Sequence, residues 1–190
     1  MKYYYRRSMA LVLLLALFSF LTTAQQPETK YEELPNFHRV SDHLYRGGQP
    51  KTGGLKKLSE LGVKTIINLR GESDDTRAEE KEAASLGMQF FNIPMSSSGR
   101  PSEEQVRRVF EIIEEKEKAN ATVFVHCRRG SDRTGAIIAV FRIKHDGWTA
   151  DRAIDEANRY GLGFIQFRKR DYINDYFKQR QIDSKKPAGQ

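Results

Sequence analysis

Apolar positions along this chain come in short blocks, and the spacing within a block changes from one block to the next. Residues 64–69 (KTIINL), 88–93 (MQFFNI) and 122–125 (TVFV) are brief β-branched or aromatic runs, the pattern of strands buried on both faces. Residues 43–46 predict a shorter strand, and Gly47-Gly48-Gln49-Pro50 turns out of it. Between these runs the period lengthens. Leu55, Leu58 and Leu61 share one helical face, which Gly62 ends. A charged helix is expected over 72–86, stopped by Gly87, and Pro94 closes the strand that follows. Residues 96–102 are a loop of small side chains. Ser102, followed by Glu103, Glu104 and Gln105, has the form of a helix cap with acids in the first turn. That helix runs through Val106, Val109, Phe110 and Ile113 to about residue 119. Three more helices are expected over 133–144, 149–160 and 167–179.

Strands that alternate with helices predict an α/β domain: a central, mostly parallel sheet of four to five strands flanked by helices. The expected layout is a leader over 1–24, a flexible lead-in over 25–35, the domain over 36–180 and a polar tail over 181–190. With 190 residues, 30% charged and 38% hydrophobic, one domain has enough core to fold without metals or disulfides.

The leader differs from the rest. Lys2, Arg6 and Arg7 precede an apolar run over 9–21, and Thr22-Thr23-Ala24 follows. A basic start, a short apolar centre and small residues predict a secretory signal peptide cut after Ala24, and hence a periplasmic or secreted protein. The run is short for a bilayer span, which needs ~20 apolar residues, so no stable span is expected after cleavage; an uncleaved anchor is the alternative. The net charge of +7 includes three leader cations and no leader anion, so the mature chain is near 7 − 3 = +4. That excess suits anionic substrates or surfaces and does not point to nucleic acid. A monomer is expected.

The chain has one cysteine, Cys127, so it has no internal disulfide. Its setting is His126-Cys127-Arg128-Arg129-Gly130-Ser131-Asp132-Arg133-Thr134-Gly135, between a buried strand and a helix. The carboxyl end of a strand in an α/β sheet is where ligands bind, and a loop entering a helix turns several N–H groups toward an anion. The same field acts on the thiol. An ordinary cysteine ionises near ~8.5, and a helix N-terminus with cations beside it brings this to ~3.5–7.5. Cys127 is then a thiolate able to attack phosphorus. Arg133 can fold back to hold two phosphate oxygens in parallel, and the oxygens it grips change charge in the transition state. Gly130 lets the loop amides converge. Ser131 contributes to the cradle, Thr134 can offer its hydroxyl to the sulfur or the leaving group, and His126 orients the loop. One Cys and four scattered His do not give metal-ligand spacing.

Cys, five residues, Arg, then Thr-Gly resembles the signature of the protein tyrosine phosphatase superfamily, in particular its small dual-specificity members. The Asp before the Arg is similar to that of bacterial secreted and lipid-directed tyrosine phosphatases. The Tyr-Arg-Gly-Gly-Gln-Pro segment at 45–50 and Ile-Asn-Leu-Arg at 67–70 resemble those of atypical fungal, plant and bacterial dual-specificity phosphatases. The resemblance extends over 45–176. It implies a phosphocysteine intermediate, no metal or other cofactor, and hydrolysis by water in a second step.

Many members of that superfamily carry a general-acid Asp on the loop after the strand preceding the signature. Here that loop, 94–101 (PMSSSGRP), has no carboxylate. Asp132 is the first candidate acid, with anchoring of the loop as its alternative role. Asp74 and Asp75 are second; Glu103 and Glu104 are third, with helix-start charges as their simpler role. Arg128 and Arg129 beside the nucleophile favour a substrate with more than one phosphate, such as a phosphoinositide or inositol polyphosphate, over a lone phosphotyrosine; Arg129 is the stronger candidate, and Arg128 has pointing to solvent or pairing with a surface acid as its alternative. Phosphotyrosine and phosphoserine or phosphothreonine stay open as substrates. Arg168, Lys169 and Arg170 could extend the basic rim, or form a solvated helix face. Two other functions stay open: phosphate binding without turnover, and sulfur transfer of the rhodanese kind.

Overall fold

The computed structural model describes residues 31–185. The expected leader and the expected cleavage after Ala24 lie outside them, as do the last five residues. Among the described residues five strands form one sheet: β1 (His38–Arg39), β2 (Leu44–Gly47), β3 (Val63–Asn68), β4 (Gln89–Asn92) and β5 (Thr122–His126). Their order is β1-β2-β5-β3-β4. Only the β1–β2 pairing is antiparallel. Six helices accompany them: α1 (Gly54–Glu60), α2 (Asp74–Ser85), α3 (Glu103–Lys118), α4 (Asp132–His145), α5 (Ala150–Arg159) and α6 (Phe167–Lys185).

Both faces of the sheet are covered, which is why the strands are apolar at successive positions rather than alternate ones. Ile66 and Phe124 face α1 and α2, where they pack with Leu55, Leu58, Ala83 and Met88. Their neighbours Ile67, Val123 and Val125 face the other way, into the larger core. There they meet Val109, Ile112 and Ile113 of α3, the apolar run of α4, and Ile173 of α6. Helix α4 is buried from Thr134 through Phe141, the pattern of a helix enclosed by others.

The register sets the position of the site. Gly47 of β2 and Asn68 of β3 both pair with His126 of β5, so three parallel strands finish at one level. The loop that starts at Cys127 leaves from the middle of that edge.

The boundaries moved in instructive ways. β1 is a two-residue edge strand with no apolar pattern to announce it. The segment through residue 35, expected as a lead-in, is partly built into the domain. Leu34 is buried, and the Pro35 carbonyl accepts the Gly48 N–H at 2.7 Å. Helix α6 runs on to Lys185, into the expected tail, on residues that are exposed. The helix before it starts at Ala150 because the Thr149 hydroxyl caps it. None of the described helices is long and apolar enough to cross a membrane.

Candidate active site

The loop from Cys127 to Ser131 is held from outside by its own carbonyls. The His126 carbonyl accepts from Leu69 N–H at 2.9 Å and that of Arg128 from Gln49 N–H at 3.2 Å, while that of Ser131 takes the first bond of the following helix, from Gly135 N–H at 2.7 Å. The Arg129 carbonyl accepts from Asn36 Nδ2 at 3.1 Å, and that of Gly130 from Arg46 Nη2 at 2.6 Å. The His126 ring lies between two acceptors, with Nε2 2.8 Å from Glu79 Oε1 and Nδ1 3.3 Å from the Cys127 carbonyl. With the carbonyls occupied on the outer side, the amides are left to face the concave side. Gly130 makes the bend possible. Its φ is 72°, and a Cβ there would run into the backbone of Gly47 and Gly48.

The concave side is a cavity of about 540 Å³ lined by Ser97, Ser98, Cys127, Arg128, Arg129, Asp132, Arg133 and Gln166. Burial pushes the Cys127 thiol up. It is outweighed by the Thr134 hydroxyl and N–H, the Arg133 guanidinium and the Gly130 N–H, and the net result is a thiol below its ordinary value. The guanidinium of Arg133 also donates to the Leu69 carbonyl at 3.3 Å, which tethers it at the pocket. Helix α4 begins at Asp132 with no side-chain cap from Ser131, so its first N–H groups are open to an anion.

Arg46 supports the loop from beneath. It is fully buried, with its guanidinium 4.7 Å from the centre of the Tyr160 ring. Burial brings it down to about 10, against the opposing pull of Glu156, Tyr160 and Cys127. It therefore remains a cation at neutral pH, under the loop that carries Cys127.

Asp132 sits at the cavity, 8% exposed. One carboxylate oxygen accepts from Arg129 Nη2 at 2.6 Å and the other from Gly163 N–H at 3.4 Å. Arg129 reaches it from a side chain that is 71% exposed. Ser131 is buried against Gly161, and its hydroxyl donates to the Arg129 carbonyl at 3.5 Å, so it faces the loop and not the cavity. Asp74 and Asp75 are elsewhere. They open α2 with side chains 97% and 78% exposed, Asp75 pairs with Arg70 at 3.4 Å, and neither lines the cavity. Their place after β3 suggested proximity, but the chain turns from there along the opposite face of the sheet. Glu103 and Glu104 open α3 and lie outside the cavity as well. Among the described residues no three His, Cys, Asp or Glu side chains cluster as a metal site would require.

Other functional positions escaped the sequence reading. Arg46 lies in the segment at 45–50, whose resemblance to phosphatases was its only signal, and Asn36, nine residues before that segment, had none. Glu79 is one acid in a charged helix, and nothing local separates it from Glu80 or Glu82. Yet it is buried, and its Oε2 accepts from Gln49 at 2.7 Å and Asn68 at 2.8 Å. Burial pushes its carboxyl up, but His126, Gln49 and Arg70 together hold it below the usual range. Lys169, counted with a solvated or rim-forming charge run, is 1% exposed. Its Nζ donates to the carbonyls of Ser97 at 2.7 Å and Gly99 at 3.2 Å, and to Gln166 Oε1 at 3.1 Å.

A thiol lowered toward thiolate, an uncapped helix start and an arginine at one cavity are the parts of a cysteine phosphatase. Residues 22–175 match the family described as a DSP-PTPase phosphatase fused to NAD+ kinase. The chain belongs to this dual-specificity phosphatase family. It is 30% identical over 128 residues to "Dual specificity protein phosphatase TpbA" of Pseudomonas aeruginosa, across 67% of this chain and 56% of that protein. It is 26% identical over 129 residues to "Inositol diphosphatase DSP1" of Oryza sativa subsp. japonica, across 66% of this chain and 56% of that one. The chain thus spans little more than half the length of these curated relatives. The solved core catalytic domain of the PP-IP phosphatase SIW14 from S. cerevisiae superposes with a TM-score of 0.66 at 26% identity, across 80% of this chain and 93% of that one. The fold is that of the cysteine phosphatases.

Proposed function

We propose that this member of the dual-specificity phosphatase family hydrolyses phosphate monoesters through a phosphocysteine. The observation that carries the reading is the Cys127 thiol, lowered at the mouth of α4 by Thr134, Arg133 and the Gly130 N–H. In the first step the Cys127 thiolate forms a bond to phosphorus and the bond from phosphorus to the ester oxygen breaks. The departing oxygen takes a proton from Asp132. The loop amides and Arg133 hold the three non-bridging oxygens as their charge redistributes. In the second step water attacks phosphorus, its proton passes to Asp132, the P–S bond breaks and inorganic phosphate leaves.

Asp132 enters this scheme because it is the carboxylate lining the cavity. In the unliganded site it is bound by Arg129. A substrate with a second phosphate offers that exposed guanidinium a stronger partner. Moving Arg129 onto it frees Asp132 to face the leaving oxygen, so Arg129 would couple recognition of a polyphosphorylated substrate to acid catalysis. A phosphoinositide or inositol polyphosphate suits this arrangement better than a lone phosphotyrosine. Phosphorylated protein remains the second substrate class, for which Arg128 and Arg129 would add little.

Hydrolysis of p-nitrophenyl phosphate tests the core reading. Turnover should be lost in Cys127→Ser, vanadate should inhibit the native chain and chelators should not. A native chain that captures phosphorylated ligands and releases no phosphate would mark a binding module instead. Full activity in Cys127→Ser would refute the nucleophile.

We also propose, from the pattern of residues 2–24, that the protein is exported with cleavage after Ala24, and separately that it acts as a monomer. N-terminal sequencing of the protein recovered outside the cytoplasm, and its elution volume on sizing, would check both.

A further inference from the structure

Among the described residues, four large apolar side chains are conspicuously exposed: Phe164 at 87%, Ile165 at 67%, Phe167 at 61% and Ile182 at 52%. Three of the four fall within positions 164–167, around Gln166, which lines the Cys127 cavity. The Gln166 N–H donates to the Gly163 carbonyl at 3.0 Å, so 163–166 is a tight turn with Phe164 and Ile165 at its two corners. The turn is tied to the site at both ends. Gly163 N–H donates to Asp132, and Gln166 Oε1 accepts from the buried Lys169, which also holds the 97–99 loop. None of the three apolar side chains lines the Cys127 cavity. They form a projecting tip held in place by the pocket itself.

Three arginines flank the tip, against one exposed acid, Asp171, on the first turns of α6. Arg128 and Arg129 are exposed at the cavity, Arg129 paired with Asp132, and Arg168 is exposed next to Phe167. Apolar side chains that project beside cations fit a bilayer surface with anionic headgroups, where rings enter at the acyl boundary and guanidinium groups stay at headgroup level. A protein partner would have to supply a cavity shaped to a convex tip, whereas a fluid bilayer closes around it. We propose that the 164–167 turn is a wedge that docks this face of the protein on an anionic lipid surface. Docked in this way, the pocket opens toward the headgroup layer. The inference deepens the proposed function, and rests on it only for the claim that a phosphate ester is consumed there.

A loop-specific probe tests it. The full chain with Cys127→Ser has no other thiol, so Ile165→Cys on that background carries a single environment-sensitive fluorophore. The same background with Lys81→Cys, exposed on α2, serves as reference. With vesicles of phosphatidylcholine containing about 30% phosphatidylserine, the probe at 165 should brighten about 2-fold or more and shift to the blue, less so at high salt. The probe at 81 should not change, and neutral vesicles should give a much smaller response at 165. An unchanged probe at 165, an equal change at 81, or an equal response to neutral vesicles overturns the proposal. Brightening at 165 with an apolar-flanked phosphotyrosyl peptide, and not with vesicles, overturns it in favour of a protein partner. A chain held to vesicles only through residues 9–21 leaves 165 in water and also overturns it. Neither labelled chain turns over, so docking can be found even where the native chain fails to hydrolyse p-nitrophenyl phosphate, a result that would sink only the catalytic reading.

Discussion

Two adjacent parallel strands, β3 and β5, end at the same level and each leads into a helix, yet only one exit holds a reactive site. At the end of β3 the Ser73 hydroxyl accepts the Thr76 N–H, and Asp74 and Asp75 fill the first turn of α2. The positive end of that helix is satisfied by its own chain. At the end of β5, Ser131 provides no such cap, and the one acid of the first turn, Asp132, is held by Arg129 at 2.6 Å at the start of α4. Its orphan N–H groups and Arg133 are available to an anion from outside. The same architecture gives a stable junction when its helix start is capped, and a binding and catalytic one when it is left open.

The comparison can be broken most severely at Glu79, because it joins the two exits: it belongs to α2 and reaches His126 at the end of β5. Glu79→Ala leaves the buried donors of Asn68 and His126, and the half-buried one of Gln49, without their acceptor, and should cost about 3–5 kcal/mol of stability in denaturant unfolding. Removal of the cation at the open exit is next. Arg133→Ala should lower kcat for a phosphate monoester by ~10²–10³ while leaving the melting temperature little changed. Asp132→Asn should cost about 10²-fold in kcat and remove the basic limb of the pH–rate profile. Asp75→Asn, at the capped exit, should do neither. The smallest effect separates the two caps directly. Ser73→Ala should cost about 1 kcal/mol with activity intact, and Ser131→Ala should show no loss attributable to capping.

The open exit was the legible part of the chain. Cys127, Gly130, Arg133 and Thr134 lie within eight residues and act through local geometry, so their spacing carries the chemistry. The inner strands were also readable, because burial on both sheet faces forces continuous apolar runs, whereas the two-residue edge strand β1 left no pattern. What stayed hidden depends on contacts distant in sequence. Arg46 meets the Gly130 carbonyl 84 positions away, and Asn36 meets that of Arg129 93 positions away. Glu79 and Lys169 look like surface charges because their neighbours in sequence are surface charges, and only tertiary packing buries them. Asp74 and Asp75 misled for the converse reason: they are near β5 in the sheet order, but their helix leaves along the other face.

The central claim is that the fold keeps Cys127 as a thiolate. Its alkylation by iodoacetamide, followed as a function of pH in the native chain, reads that ionisation directly, since only the thiolate reacts. Because the folded thiol lies below its ordinary value, the thiolate persists as pH falls past ~8.5 and is lost only through a lower midpoint. The account predicts a rate that rises with pH through that lower midpoint and stays level across the ordinary cysteine range. A midpoint at or above the ordinary value would contradict it.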